Sequence, residues 1–335
     1  MKAFFDPRQL DHAPQRELHR GEWIAYSEKP ARAEQIAAAI GATTLPADFG
    51  MAPIAEVHSP DYLAFLTSAW EGWQAAGREG DAIGYTFPVV GRRPLALDGI
   101  DARIGAFSFD AATPITAQTW GAVYASAQCA LAATDAVASG AERQAFALCR
   151  PPGHHAGADY MGGYCYLNNA AIAARHAQAR GLPRVAVLDV DYHHGNGTQD
   201  IFYDDPDVLF VSIHADPATD YPYYWGHPDE RGAGEGVGAN LNLTLPRGTD
   251  WARYAPALDA ARAAIVAARS DLLVLSFGAD TFAGDPISGF ALQREDFTRM
   301  AGAIAALGLP TVVVMEGGYA VGDLGGNVAA FLEGF

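Results

Sequence analysis

The stretch LDVDYHHGNGTQDIFY, residues 188–203, completes a short apolar run that begins at Val185 and then turns abruptly to acidic and imidazole side chains. A short apolar run of this kind is typical of a strand buried in a parallel sheet. Side chains alternate along an extended chain, so Asp189, Asp191 and His193 can project to one side. Two carboxylates and an imidazole at the end of a buried strand are costly unless a cation offsets their charge. The stretch therefore predicts a cation site at the end of a buried strand.

Other apolar runs of similar length follow the same pattern, and helical stretches alternate with them. The runs are AFALC (145–149), DVLFVSIH (207–214), DLLVLSFGAD (271–280) and PTVVVMEGG (310–318). The helical stretches lie near residues 59–70, 116–140, 168–181, 253–270 and 294–308. This alternation predicts an α/β fold, a doubly wound parallel sheet flanked by helices. No repeat or linker divides the 335 residues, so we expect a single domain over residues 1–335.

One segment, about residues 84–118, departs from the alternation. It is rich in glycine, proline and aromatic residues and shows no clean hydrophobic period. A long irregular segment inside a compact domain is usually functional or part of an interface. We therefore treat it as an insertion that serves the active site or an interface.

The composition narrows the classes of partner. The chain carries a net charge of −17, which disfavours nucleic acid and acidic membrane surfaces and suits a cationic ligand, although solubility alone accounts for it equally well. Three cysteines without metal-type spacing indicate a reducing compartment. The chain shows no apolar signal segment and no run of about eighteen apolar residues. We therefore expect a cytoplasmic protein with neither nucleic acid nor membrane as partner.

Polar side chains follow each predicted strand. In a doubly wound sheet, ligands bind outside the carboxyl ends of the strands, so these clusters should meet at one rim. The clusters are Arg150 to His155, Asp189 to His193, Ser212 with His214, Asp280, and Glu316 to Tyr319.

The residue types in these clusters indicate a reaction. Asp191, His193 and Asp280 form a mixed nitrogen and oxygen ligand set with an open position, which is typical of a catalytic zinc or a similar divalent ion. The pair His154–His155 suits proton transfer near neutral pH. Tyr319 follows two glycines and could donate to a developing oxyanion. Together they predict metal-assisted hydrolysis of a carbonyl compound.

The motifs that carry this chemistry are shared with a known family. RPPGHHA, GGYCYLNN, LDVDYHHGNGTQDIFY, GADTFAGDP and EGGY resemble the zinc-dependent deacetylases of the histone deacetylase family, which have the arginase/deacetylase fold. Within that superfamily the chain is most similar to bacterial acetylpolyamine amidohydrolases. The resemblance implies a zinc-dependent amidohydrolase that removes acetyl groups from small cationic N-acetylated amines, such as acetylputrescine or acetylcadaverine.

The resemblance also assigns roles to single residues. By resemblance, Asp191, His193 and Asp280 bind one zinc ion, although iron(II) or cobalt(II) would also fit these ligands. His155 is the general base and then the acid, His154 is its electrostatic neighbour, and Tyr319 binds the oxyanion. The carbonyl of Gly163 accepts the substrate amide N–H. Asp189 is the partner of His154, and Asn196 that of His155. A structural potassium or sodium ion is held by Asp189, Asp191, His193, Ser212 and Ile213, mostly through backbone carbonyls.

Substrate selection and assembly are implied in the same way. Tyr164 and Tyr221 match aromatic wall positions, and Asp101 matches an acid on the insertion that meets the distal ammonium group. Some relatives carry a second acid where this chain has Ala112, which favours short acetylated diamines over long polyamines. The resemblance further implies a homodimer in which residues 84–118 of one subunit wall the active-site entrance of the other.

Several functions remain as alternatives to deacetylation of small amines. The first is the same chemistry on acetyl-lysine in proteins. An arginase-like hydrolase would need ligands for a second metal, whereas the cluster in this sequence fits one. A catalytically silent binding module would have lost His155, Tyr319 or a metal ligand, and the sequence retains them.

Overall fold

A computed structural model describes residues 1–91, 93 and 95–335 of the chain and defines its strands. They are β1 (Lys2–Phe4), β2 (Arg16–His19), β3 (Glu22–Ala25), β4 (Gln144–Ala147), β5 (Val185–Asp189), β6 (Val208–Ala215), β7 (Asn240–Leu245), β8 (Leu272–Phe277) and β9 (Thr311–Met315). Within the described residues, seven of them form one sheet in the order β1-β4-β9-β8-β5-β6-β7. Every neighbouring pair in it is parallel. The predicted doubly wound parallel sheet is confirmed.

Helices fill the connections between the strands. The α-helices are α1 (Ala31–Ile40), α2 (Ala52–Ala55), α3 (Pro60–Ala75), α4 (Ile100–Ala106), α5 (Thr119–Ala138), α6 (Asn169–Ala179), α7 (Asn196–Phe202), α8 (Trp251–Ala268), α9 (Arg294–Ala305) and α10 (Val321–Leu332). Short 3₁₀ turns cover Pro7–Asp11 and Gly234–Gly236. None of the helices found among the described residues has the length and apolarity that a membrane crossing requires.

The helix starts follow from local chemistry. Ser59 accepts a hydrogen bond from the backbone N–H of Tyr62, and Pro60 occupies the first helical position of α3. Asn168 accepts from the N–H of Ala171 at the start of α6. Each side chain satisfies an N–H group that the first helical turn leaves without a backbone partner. Ser59 and Asn168 therefore mark where these two helices begin.

The sheet is covered on both faces, and β5 shows how one strand serves both. Val185 and Val187 pack into the apolar layer under α5 and α6. Ala186 and Leu188 pack into the opposite layer, under α8, α9 and α10. All four side chains are fully buried. Burial on both faces explains why the strand reads as a continuous apolar run rather than an alternating one.

Some elements do not follow from the apolar runs. The edge strand β7 and the antiparallel hairpin of β2 and β3 are half-exposed or mixed in polarity. Segment 84–118 contains the short helix α4, although its sequence shows no clean period. Arg92 and Pro94 of this segment lie outside the described residues.

Candidate active site

A cavity of about 430 Å³ opens at the carboxyl edge of the parallel sheet. Strands β4, β5, β8 and β9 deliver their following loops to this edge because all of them run in the same direction. Among the sequence-predicted site residues, the cavity wall includes His155, Gly163, Tyr164, His193, Tyr221 and Tyr319. The clusters after β4, β5 and β9 therefore contribute to one cavity wall, whereas Ser212 and His214 of the β6 cluster do not line it.

Asp191, His193 and Asp280 lie together at the base of this cavity. One potential ligand atom from each lies within 4.8 Å of the others. The Nδ1 atom of His193 is 3.3 Å from Oδ1 of Asp191 and 3.0 Å from Oδ2 of Asp280. Both carboxylates are buried, whereas His193 reaches the cavity. The arrangement leaves one side of the set facing the cavity, as a catalytic metal site requires.

The charges of this set suit a divalent cation. Burial alone would lower the pKa of His193, but Asp191 and Asp280 raise it to about 10. Burial and the nearby charge of Asp191 raise the pKa of Asp280 to about 8. Two carboxylates that share a buried site thus draw positive charge to it, which a divalent ion would supply. The donor set of two oxygens and one nitrogen fits zinc and similar ions.

Two glycines allow the buried carboxylate of Asp191 to lie where it does. A Cβ atom at Gly278 would lie 2.0 Å from Oδ2 of Asp191. A Cβ atom at Gly317 would lie 2.5 Å from the same oxygen and 2.7 Å from Oδ2 of Asp280. The N–H of Gly317 also donates to Oδ2 of Asp191 at 2.8 Å. The ligand set is therefore enclosed by backbone that approaches it closely.

The two neighbouring histidines have different partners. Nδ1 of His154 lies 2.9 Å from Oδ2 of Asp189, and Nδ1 of His155 lies 2.7 Å from Oδ1 of Asn196. Although burial opposes it, Asp189 and Asp191 raise the pKa of His154 to about 10. Burial and the adjacent His154 hold the pKa of His155 well below its usual value. Two imidazoles whose ring centres are 4.0 Å apart thus have opposite proton affinities.

Tyr319 lies on the turn between β9 and α10, at the cavity wall. The guanidinium of Arg32 donates to the carbonyl of Gly318 at 2.6 Å and to that of Glu316 at 2.5 Å. It also lies 4.8 Å from the centre of the Tyr319 ring. Burial raises the pKa of Tyr319 well above its usual value, so the hydroxyl remains a proton donor. Asp285 holds the other side of the turn through the N–H of Tyr319, at 2.7 Å.

Tyr164 and Tyr221 form opposite parts of the wall around Gly163. Tyr164 donates its hydroxyl to Oε1 of Glu17 at 3.0 Å, and its ring centre is 5.6 Å from that of Tyr319. The ring of Tyr221 meets the ring of His155 edge to face at 5.1 Å. Asp110 accepts from the N–H of Gly163 and from the hydroxyl of Tyr221, both at 2.8 Å.

Asp101 does not reach this cavity within one chain. It lies on α4 and forms an ion pair with Arg78 at 2.6 Å. Ala112 does line the cavity, so the position that is acidic in some relatives is apolar here.

The residues expected to hold a monovalent cation lie beside the metal ligands. The register of β5 and β6 places Asp189 opposite Ser212, and Ile213 follows on the same strand. Oδ1 of Asp189 accepts from the N–H of Asp191 at 3.0 Å, which turns the chain after β5. The structure thus pairs Asp189 with Ser212 in two adjacent strands, and Asp191 and His193 lie in the turn that follows β5.

Several polar residues at the site were given no role in the sequence analysis. The buried carboxylate of Glu316 accepts from the N–H groups of Gly153 and His154 at 2.7 and 3.1 Å. Glu17, Arg32, Asp110 and Asp285 support the wall and the Tyr319 turn as described above. Glu316 and Asp285 stand in quoted motifs, EGGY and GADTFAGDP. The available signal for both was an acid in the same motif as a predicted site residue, Tyr319 for Glu316 and Asp280 for Asp285.

Comparisons with known proteins agree with this geometry. Residues 26–335 match the histone deacetylase domain. The chain is 51% identical to acetylpolyamine amidohydrolase 2 of Pseudomonas aeruginosa, over 100% of this chain and 98% of that protein. It is 44% identical to acetylpolyamine amidohydrolase of Mycoplana ramosa, over 100% and 99% of the two chains. The crystal structure of acetylpolyamine aminohydrolase from Burkholderia pseudomallei superposes with a TM-score of 0.96 at 45% identity, covering 100% and 98% of the two chains.

Proposed function

This chain belongs to the histone deacetylase family, and from that premise we propose that it hydrolyses the acetyl amide of small N-acetylated polyamines. The observation that carries the proposal is the convergence of the Asp191–His193–Asp280 set, the two histidines and Tyr319 on one cavity. The relatives with about half of their residues identical carry the name acetylpolyamine amidohydrolase, which supports the substrate class.

The metal belongs to this proposal. Asp191, His193 and Asp280 would hold one divalent ion, for which we propose zinc, with iron(II) or cobalt(II) as alternatives. When bound, such an ion supplies a Lewis acid that polarises an acetyl carbonyl and makes water more acidic.

The chain's own residues account for the proton transfers. The amide oxygen of Asn196 can only accept, so Nδ1 of His155 carries the hydrogen and Nε2 keeps its lone pair. We propose that this Nε2 atom takes a proton from the attacking water and later gives it to the departing amine nitrogen. The products are acetate and the free amine. His154, held by Asp189, contributes positive charge beside it.

Two further groups act on the acetamide. The Tyr319 hydroxyl donates to the oxyanion that develops on the acetyl carbonyl, while the Gly163 carbonyl accepts the amide N–H of the substrate. Tyr164 and Tyr221 enclose the methylene chain between them. In this proposal Gly163, Tyr164 and Tyr221 bind the substrate, whereas Tyr319 acts on the reacting carbonyl.

A structural monovalent cation, potassium or sodium, is proposed beside this site. Its ligands would be Asp189, Asp191, His193, Ser212 and Ile213. Support comes from the register of β5 and β6, which pairs Asp189 with Ser212. Such an ion would fix the turn that carries Asp191 and His193.

We further propose a homodimer built through residues 84–118. This segment exposes apolar side chains that a monomer would leave in water. They include Tyr85, Phe87, Val89, Val90, Leu95 and Leu97. In a dimer, Asp101 of this segment would face the entrance of the other subunit and meet the distal ammonium group of the substrate. We also propose a cytoplasmic location, which the unpaired state of all three cysteines supports.

The experiment that tests the function compares substrates. Purified protein is assayed with acetylputrescine, acetylcadaverine, acetylspermine and an acetyl-lysine peptide, and kcat/KM is determined for each. We expect the highest values for the two short diamines, because Ala112 lines the cavity at the position where the resemblance implies a second acid for longer polyamines. Higher values for the peptide would instead establish protein deacetylation, and urea release from arginine would establish the arginase-like alternative.

A further inference from the structure

The backbone that carries Tyr319 is held by a side chain from another loop. Oδ2 of Asp285 accepts from the N–H of Tyr319 at 2.7 Å and from that of Ala320 at 3.2 Å. Its other oxygen, Oδ1, accepts from the N–H of Ile287 at 3.1 Å. Asp285 is buried, at 9% exposed. Both carboxylate oxygens are therefore committed to backbone donors.

These contacts lie at the start of α10, which lacks a cap of its own. Ala320 is the residue before the first helical turn, and it offers no capping side chain. A carboxylate at this end satisfies free N–H groups and interacts favourably with the helix dipole. Asp285 therefore holds the two residues that lead into α10, and its carboxylate lies at the end of the helix where negative charge is favourable.

The same carboxylate connects Tyr319 to the cavity wall. Pro286 and Ile287, which directly follow Asp285, both line the cavity. Ile287 also packs against the cluster that contains Tyr164 and Tyr319. Asp285 thus joins the backbone of Tyr319 to the loop that forms the neighbouring part of the cavity wall.

We propose that Asp285 is a positioning residue that aligns the Tyr319 hydroxyl for the reaction. It touches neither substrate nor reacting atoms and acts through the backbone of Tyr319. Arg32 binds the carbonyls of Glu316 and Gly318, so the loss of Asp285 would free the N–H groups of Tyr319 and Ala320 while those carbonyls stay bound. The inference rests on the proposed function, in which Tyr319 stabilises the oxyanion.

The test is a cycle of four proteins: wild type, Asp285→Asn, Tyr319→Phe and the double variant. Asparagine has nearly the same shape, but its amide group turns a donor toward an N–H that the carboxylate accepted. We expect Asp285→Asn to lower kcat on acetylputrescine about 10- to 100-fold while KM changes less than about threefold, because small misplacements cost that much. In the Tyr319→Phe background, the same change should lower kcat less than about twofold.

Controls separate this role from loss of fold or metal. Asp296→Asn removes another buried acid that caps a helix, through the N–H of Gln293, away from the cavity wall, and should leave kcat unchanged. Metal per chain should be the same in wild type and Asp285→Asn. Equal losses in both backgrounds, loss of metal, or unchanged turnover in Asp285→Asn would each overturn the inference. Unchanged turnover in Tyr319→Phe would instead overturn the proposed role of Tyr319.

Discussion

The Nδ1 atom of His155 lies 2.7 Å from the amide oxygen of Asn196. The orientation of that amide is fixed by its nitrogen, which donates to the carbonyl of His155 at 3.3 Å. The partner of the general base in our proposal is therefore neutral, whereas His154 is paired with the carboxylate of Asp189. A neutral partner fixes the tautomer without attracting a second proton, which suits a group that must release its proton to the amine.

Removal of one proposed metal ligand should remove the metal. In Asp280→Ala we expect affinity for zinc to fall by at least about 100-fold, because the ligand set loses one of its two carboxylates. Metal per chain after dialysis, measured by mass spectrometry, checks this together with activity. Asp271→Ala is the control, since Asp271 precedes β8 and bonds Arg184 on the surface, whereas Asp280 follows the same strand. Full zinc occupancy in Asp280→Ala would refute the assignment.

Loss of the Tyr319 hydroxyl should slow the reaction rather than weaken binding. We expect Tyr319→Phe to lower kcat by about 10²–10³, the scale of one oxyanion donor, with a smaller change in KM. Steady-state kinetics on acetylputrescine measure both. Tyr254→Phe is a matched control, because this buried tyrosine has a hydroxyl without a partner among the described residues. Near-normal turnover in Tyr319→Phe would exclude the role.

A change at Asp101 should depend on the charge of the substrate. If its carboxylate meets the distal ammonium, Asp101→Asn raises KM for acetylputrescine more than for a neutral N-alkylacetamide. Arg78→Gln breaks the same ion pair, of 2.6 Å, and leaves the carboxylate in place. Equal losses for charged and neutral substrates, or equal effects of the two variants, would show that Asp101 only shapes the insertion.

The exposed apolar side chains of the insertion should control assembly. Val90 is 100% exposed in the single chain, and we expect Val90→Asp to shift the protein from dimer toward monomer by burying an unpaired charge at the contact. Light scattering across a concentration series measures the change. Val266→Asp, on the exposed face of α8, is the control. A wild-type protein that is monomeric throughout would disprove the dimer.

The buried carboxyl of Glu17 should make stability depend on pH. Burial raises its pKa from 4.5 to about 7, despite the hydroxyl of Tyr164. The folded state therefore binds a proton that the unfolded state releases, and stability from this group is lost as the pH rises from about 4.5 to about 7. Urea unfolding midpoints at pH 5 and pH 8 check this. The midpoint of Glu17→Gln should rise relative to that of wild type at the higher pH. Glu22→Gln, exposed on the same hairpin, is the control.

The sequence predicted the parts of the site that depend on position along a strand. Asp191 and His193 follow β5 directly, and Asp280 joins them because parallel strands end at one edge. The supports of the site depend on contacts between side chains and distant backbone. Asp285 bonds an N–H 34 residues away, and Asp110 bonds one 53 residues away. No periodicity encodes such contacts, so only the folded chain shows them.

Because Gly278 and Gly317 approach Asp191 closely, these two glycines should tolerate substitution as poorly as the proposed metal ligands do. An added methyl group at either glycine would meet carboxylate oxygens at 2.0–2.5 Å, far inside contact distance. Such substitutions would displace a ligand without replacing it. In a library of single substitutions selected for deacetylase activity, both glycine positions should be as depleted of variants as the ligands themselves. The residues that activity requires thus include more than those that take part in the chemistry. Two of them, Gly278 and Gly317, have no side chain.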